Sequence, residues 1–240
     1  GAWTAYGSAG ATLVDKQLEG GVLGLTSDTA DEFVTLLSST GSYRMVTTST
    51  LALNGRMAFE ARVARSVVTS AKGEFFVGLM APTLASGLPV TAQPITTVDD
   101  TLMTAGDFFG FHCNQTTAVR GGPTEVAVAF ELAAGTINYP TNLTTLMAST
   151  GNTVLAADTF VKLGFIFDRN GPMKRVTLAT ARQTAGQVVK AIVRFFVNGI
   201  EAPTFLSSAD VANATATQAF PTAFMCPVIA HANGASTFTV

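Results

Sequence analysis

Charge is what this chain most conspicuously lacks. Asp, Glu, Lys and Arg make up 12% of its 240 residues, about half the ~25% usual in soluble domains. A disordered chain would combine low hydrophobicity with high net charge. This one has 48% hydrophobic residues and a formal charge of −2. The basic excess of a nucleic-acid-binding domain is missing too, since the pI is about 5.6. Long apolar runs are also absent. Mean hydropathy is +0.37, yet the longest apolar stretches, such as 126–130 and 160–167, are strand-sized. A membrane helix needs ~18–20 such residues, so a membrane span is excluded. Two cysteines, Cys113 and Cys226, exclude a disulfide scaffold and leave one bridge open. No basic-then-apolar leader opens the chain, which begins Gly1-Ala2-Trp3-Thr4. It lacks an initiator Met and ends at Phe238-Thr239-Val240 inside a strand pattern, so further residues are expected at one or both ends.

Thr, Ser, Ala and Gly stand where Lys and Glu would be. Two readings follow: a surface largely buried in an assembly, or a β protein with a Thr-rich skin. Helical periodicity is weak. The 22 glycines and 9 prolines divide the chain into short β-branched and aromatic runs, the pattern of a sandwich or barrel. Strands are expected at 21–25, 33–37, 44–47, 56–64, 74–80, 107–112, 125–131, 159–168, 175–180, 188–197, 201–206 and 224–230. Met57, Phe59, Ala61 and Val63 share one face, with Glu60 and Arg62 on the other. Val161, Leu163, Phe165 and Phe167 share another face. Asp168-Arg169-Asn170-Gly171 reads as a turn. Asn198-Gly199 reads as a type I′ hairpin turn pairing 193–197 with 200–205. Residues 81–103, with Pro82, Pro89 and Pro94, read as a long ordered loop. Residues 210–220 allow a single helical turn. No repeat or linker divides the chain, so one domain over 1–240 is expected, with residues 1–19 as an N-terminal arm. Phe59, Phe76, Leu163, Phe165 and Phe196 are the expected inter-sheet core.

The order of segments carries a resemblance. Met57-Ala58-Phe59-Glu60-Ala61-Arg62-Val63 is followed by Phe75-Phe76-Val77-Gly78-Leu79 and Asp107-Phe108-Phe109-Gly110-Phe111. Then come Asp158-Thr159-Phe160-Val161-Lys162-Leu163-Gly164-Phe165, Phe195-Phe196-Val197-Asn198-Gly199 and Phe220-Pro221 with Phe224-Met225-Cys226-Pro227-Val228. This order resembles the concanavalin A-like (laminin-G/glucanase) jelly roll, and within it virion proteins of tailed bacteriophages, from about Gly20 to the C-terminus. The resemblance implies an all-β, two-sheet antiparallel jelly-roll sandwich and a structural role, capsid decoration above all. One departure stands out. Residues 172–194 separate the Asp168 turn from the Phe195 strand as an inserted long hairpin. From 169 to 200 lie Arg169, Lys174, Arg175, Arg182, Lys190 and Arg194, with no Asp or Glu. Either these charges guard an exposed edge, or the hairpin is an arm docking on an acidic neighbour through Lys174, Arg175, Arg182, Lys190 and Arg194.

Signals for chemistry are thin. Glucanases of this fold carry alternating carboxylates on one strand, spaced for a retaining mechanism. Here Glu60 stands alone beside Arg62 and reads as half of a surface ion pair. Glu125 and Glu131 lie too far apart to cooperate. Asp99, Asp100 and Asp107, with Asn114, form the one acidic cluster by a long loop, where calcium competes with turn capping. His112 and Cys113 are adjacent, so a strand sends them to opposite faces. His231 and Cys226 complete the only His/Cys set. No catalytic, metal or cofactor residue is therefore assigned, and the chain is read as a non-enzyme. The expected function is a capsid decoration (cement) protein of the phage head. It would bind the major capsid protein, form a homo-oligomer, engage neither nucleic acid nor membrane, and reach the virion surface after assembly in the host cytoplasm. The alternatives are a lectin-like glycan-binding module, displayed on the virion or secreted, and a glycan hydrolase.

Overall fold

The computed structural model describes residues 3–7, 12–15, 23–27, 33–38, 43–46, 55–65, 74–81, 107–113, 125–131, 138–148, 150–151, 154–177, 183–211, 220–232 and 238–239. They form a predominantly β structure in which two antiparallel sheets pack together. The larger has seven strands in the order β1 (Trp3–Gly7), β4 (Phe33–Ser38), β14 (Cys226–Ala232), β6 (Glu74–Met80), β7 (Phe108–Cys113), β8 (Ala127–Glu131) and β9 (Asn138–Asn142). The smaller joins β11 (Met173–Arg175), β12 (Val188–Val197), β10 (Val161–Asp168) and β5 (Arg56–Val63), with β13 (Ile200–Ser207) also on β12. A further small sheet, β15 (Phe238–Thr239), β3 (Leu23–Ser27) and β2 (Thr12–Asp15), packs Leu25 on Val34, Leu36 and Ile229. Residues 1–19, expected as an arm, thus supply an edge strand of the large sheet and a strand of the small one. Short helices α1 (Leu143–Ala148) and α2 (Ser208–Val211) complete the elements. Asn142 caps α1 by accepting the Thr145 N–H at 3.2 Å, and Leu143 and Met147, four apart, bury its inner side.

The core is built from the alternating strands. Leu163, Phe165 and Phe167 of β10 meet Phe109, Phe111, Val77 and Phe130 of the large sheet. Phe109 sits at the centre, its ring centroid 4.8 Å from Phe165, 5.1 Å from Phe220 and 5.9 Å from Phe130. Of the expected core set, Leu163 and Phe165 lie there. Phe59 is half-buried, stacked on Phe165 at 5.2 Å. Phe76 is buried on the opposite face of the large sheet, edge-on to Phe108. There it covers Gly110, where a Cβ would fall 2.8 Å from its ring. Phe196 is the correction. Phe195 is buried in the core and Phe196 points outward beside Arg194. A Phe-Phe pair gives no alternation, so neighbouring strands decide which ring goes in. Strands β6, β7 and β8 are buried at every residue, as strands covered on both faces are.

Other expectations shift in instructive ways. At the Asn198-Gly199 turn both residues have positive φ, 52° and 80°, the I′ geometry, and Val197 faces Ile200. Of the strand expected at 44–47, the described residues 44–46 form none: isolated bridges stand at Tyr43, paired with Met225, and at Val46, and Thr47 lies outside the described residues. The strand expected at 175–180 is Met173–Arg175, and 178–180 lie outside the described residues. Nor does the chain reverse at Asp168. β10 and β11 both run antiparallel to β12, from Phe167 opposite Val193 to Met173 opposite Lys190. The local turn, with Gly171 N–H on Asp168 O at 3.0 Å, is an interruption in one long strand. The expected insertion is therefore the outer half of a long β10/β11–β12 hairpin. Helix α2 falls at the start of the helical turn expected in 210–220, of which 212–219 are not described.

This packing yields a stability contrast. Phe165→Ala removes the ring at the sheet interface and should cost ~3–5 kcal/mol, whereas Phe196→Ala should cost clearly less. Urea unfolding of both variants checks this, and equal losses would put Phe196 back in the core.

Candidate functional site

The hairpin is tied down before it is exposed. Ala191 N–H donates to Pro172 O at 2.9 Å and Val176 N–H to Gln187 O at 2.8 Å. A Cβ on Gly171 would collide with the Ala191 carbonyl, so glycine is needed for that close approach. Next to the Val176–Gln187 pair, Gly186, at φ +92°, donates to Val176 O at 2.8 Å. One face packs inward: Val176, Ala191 and Phe205 are buried together with Val189 against them. Gln183 bonds Asp210, whose Oδ2 also accepts the Ser207 N–H and Oγ–H, both at 2.7 Å.

The charges divide accordingly. Lys174 pairs with Glu201, and Arg194 reaches the same carboxylate at 3.5 Å. Glu201 is one residue beyond the acid-free stretch, so the counter-charge comes from the next strand. Arg175 and Lys190 are exposed and share a face with Met173 and Val188. Those two apolar side chains are 62% and 54% exposed. A β-bulge places Ile192 and Val193 both in the core, so Lys190 and Val188 continue on the Ile192 side beyond the core. The result is a small apolar face with a basic rim. Arg182 lies outside the described residues. Of the five expected docking residues, two are engaged by Glu201 and two share this open face.

The remaining acidic, His and Cys groups make structural contacts. Asp107 Oδ2 accepts the N–H groups of Thr222 and Ala223 at 2.6 and 2.7 Å; Asp99, Asp100, Asn114 and most of 81–103 are not described. Glu60 pairs with Lys162 at 3.6 Å, both exposed, and the Arg62 guanidinium lies 4.3 Å from the Phe160 ring centroid. Glu125 accepts from Asn142 at 2.7 Å, while Glu131 is buried at the far end of β8. The His and Cys residues do not converge. His112 bonds Glu74 on one face of the large sheet, and His231 bonds the Glu74 carbonyl at 3.0 Å. Cys113 lies on the core face with Arg65 Nη1 at 2.9 Å. Cys226 donates to Met80 O at 3.3 Å. Among the described residues no group of three or more His, Cys, Asp or Glu is placed to hold a metal.

One feature had no signal in the pattern of any single segment. A half-open groove of about 360 Å³ runs beside β5, lined by Met57 to Arg62, Leu79, Ile229, Trp3 and Tyr43. It gathers the sole Trp and an exposed Tyr from segments 40 residues apart and sets them near Glu60 and Arg62. No family model and no curated protein matches the chain.

The two thiols give a pH test. Neither cysteine is in a disulfide, and both are buried. Burial pushes each thiol from 9.0 up to about 11, at Cys113 against the opposing pull of Arg65. The folded state therefore holds them neutral where the unfolded chain would ionise. Their contribution to stability is whole below pH 9 and declines as pH rises towards 11. Urea midpoints should fall across that window in wild type and less in a Cys113→Ala/Cys226→Ala variant. A thiol reagent should label both sites only on unfolding, and rapid native labelling would contradict the burial.

Proposed function

We propose that this chain is a structural virion protein, a capsid decoration protein of a phage head with a concanavalin A-like jelly roll. The observation that carries the reading is the hairpin face of Met173, Arg175, Val188 and Lys190. Large apolar side chains held open on a rigid, bonded hairpin and rimmed by cations suit a docking surface. Its partner would be acidic and apolar, as the surface of an assembled shell can be. The low charge content and the segment order set out above support the same reading. The mechanism is binding alone: a protein that binds only the assembled shell shifts the equilibrium towards it.

The structure also refines how to test this. Deleting the hairpin would uncover Ala191 and Phe205, so point variants are cleaner. Arg175→Ser with Lys190→Ser should leave melting unchanged. Association with purified particles should be roughly tenfold slower at low salt and less salt-dependent. Met173→Ser with Val188→Ser should shorten residence on the particle. Unchanged binding in both variants would remove the hairpin from the interface.

A glycan-binding module is the second reading, and the groove beside β5 favours it. A sugar ring could stack on Trp3 or Tyr43 and bond Glu60 or Arg62. A glycan array with wild type and Trp3→Ala separates the two. Binding lost in Trp3→Ala would support the module, and an array without signal would leave the decoration reading alone.

A further inference from the structure

β5 ends its sheet, and its one strand partner among the described residues is β10. Two hydrogen bonds reveal which backbone groups face the open side. Asn198 N–H donates to Lys162 O at 2.8 Å, and Lys162 N–H donates to Asn198 Oδ1 at 2.9 Å. Lys162 thus directs both main-chain groups to the β12 side. Arg62, directly opposite Lys162, then turns its own away from β10, because groups alternate along an antiparallel pair. The far end agrees: Arg169 N–H donates to Gly55 O at 3.3 Å, so odd-numbered positions face β10. Ala58, Glu60 and Arg62 therefore present N–H and C=O to the open edge. Proteins usually blunt such edges with proline, bulges, lysines or inward charges. β5 has no proline, glycine or lysine, and its pairing with β10 is unbroken over eight residues.

We propose that β5 pairs antiparallel with β5 of a second copy of this chain, about a two-fold axis at Ala61. The register follows from charge. Only even-numbered residues can exchange hydrogen bonds across this edge, so few alignments exist. Centring on Glu60 sets Glu60 against Glu60, and centring on Arg62 sets Arg62 against Arg62. Centring on Phe59 sets Arg56 against Arg62. Centring on Ala58 sets Arg56 against Glu60, but that Arg56 is already paired with Asp168 at 3.7 Å, and Arg62 then falls opposite a position beyond β5. Centring on Ala61 sets Glu60 of each copy against Arg62 of the other, twice, on the exposed face. It also sets Phe59 against Val63 on the core-facing side, beside the groove. Ala61 meets its own copy at the axis, in the close non-hydrogen-bonded pair where Cα atoms approach to about 4.5 Å. The pattern is self-complementary, as an isologous interface requires. The inference is independent of particle binding, because it concerns the isolated chain. The second copy would cover one wall of the groove, so it would compete with any glycan there.

Light scattering on a sizing column tests it with the full chain. Wild type should run as a dimer. Glu60→Arg alone and Arg62→Glu alone each place like charges opposite each other twice, and each should weaken self-association about tenfold or more. An equimolar mixture of the two variants restores opposite charges at both positions, and native mass spectrometry should find the heterodimer. The double variant Glu60→Arg/Arg62→Glu should dimerise like wild type. Should a single variant misfold, amide exchange in wild type decides: protection at Ala58, Glu60 and Arg62 should rise with protein concentration. A monomeric wild type, a dimer indifferent to the single substitutions, a mixture without heterodimer, or exchange that ignores concentration would each overturn the proposal.

Discussion

The contact between the Phe109 ring and Phe165 joins the two sheets, and much else depends on it. It fixes which side of β10 faces inward, and through the β10–β12 register it fixes Phe195 inward and Phe196 outward. Phe130 and Phe220 close round the same ring. Aromatic pairs contribute ~0.5–1.5 kcal/mol beyond their buried area, so a cluster centred on one ring concentrates stability at the sheet interface. Once that interface is set, β12 is long enough to overshoot it. The bulge that brings both Ile192 and Val193 into the core carries the overshoot, and β11 pairs with it.

The overshoot explains how a chain so poor in charge still sets exposed cations beside exposed apolar side chains. Lys174 and Arg194 converge on Glu201 and hold the hairpin to β13. Arg175 and Lys190 are left facing outward with Met173 and Val188. The same four-strand neighbourhood thus separates structural cations from exposed ones. On the opposite margin β5 ends the sheet with alternating Glu60 and Arg62. Both margins are places where backbone or apolar surface extends past what the described residues cover.

Much of the fold was legible because alternation is a local property. Met57 to Val63 and Val161 to Phe167 announce their inward faces, and Asn198-Gly199 announces its turn. Paired phenylalanines were the weak point: at Phe75-Phe76, Phe108-Phe109 and Phe195-Phe196 both residues are apolar, so only tertiary pairing assigns a face. Asp168 to Gly171 has turn chemistry, yet the register shows a strand that resumes. That distinction is nonlocal. The hairpin's basic character was legible by counting, but the role of Glu201 was not, since it depends on β12 and β13 lying side by side. The Trp3–Tyr43 groove was illegible for the same reason: its walls come from five segments far apart in the chain.

As a proposed decoration protein, this chain would be a component of an assembled particle. Quantitative mass spectrometry of purified virions tests it most directly. The chain should be present in washed particles, at a copy number in a simple fixed ratio to the major shell protein. Its absence from particles, or its presence only as a trace removed by washing, would contradict the account.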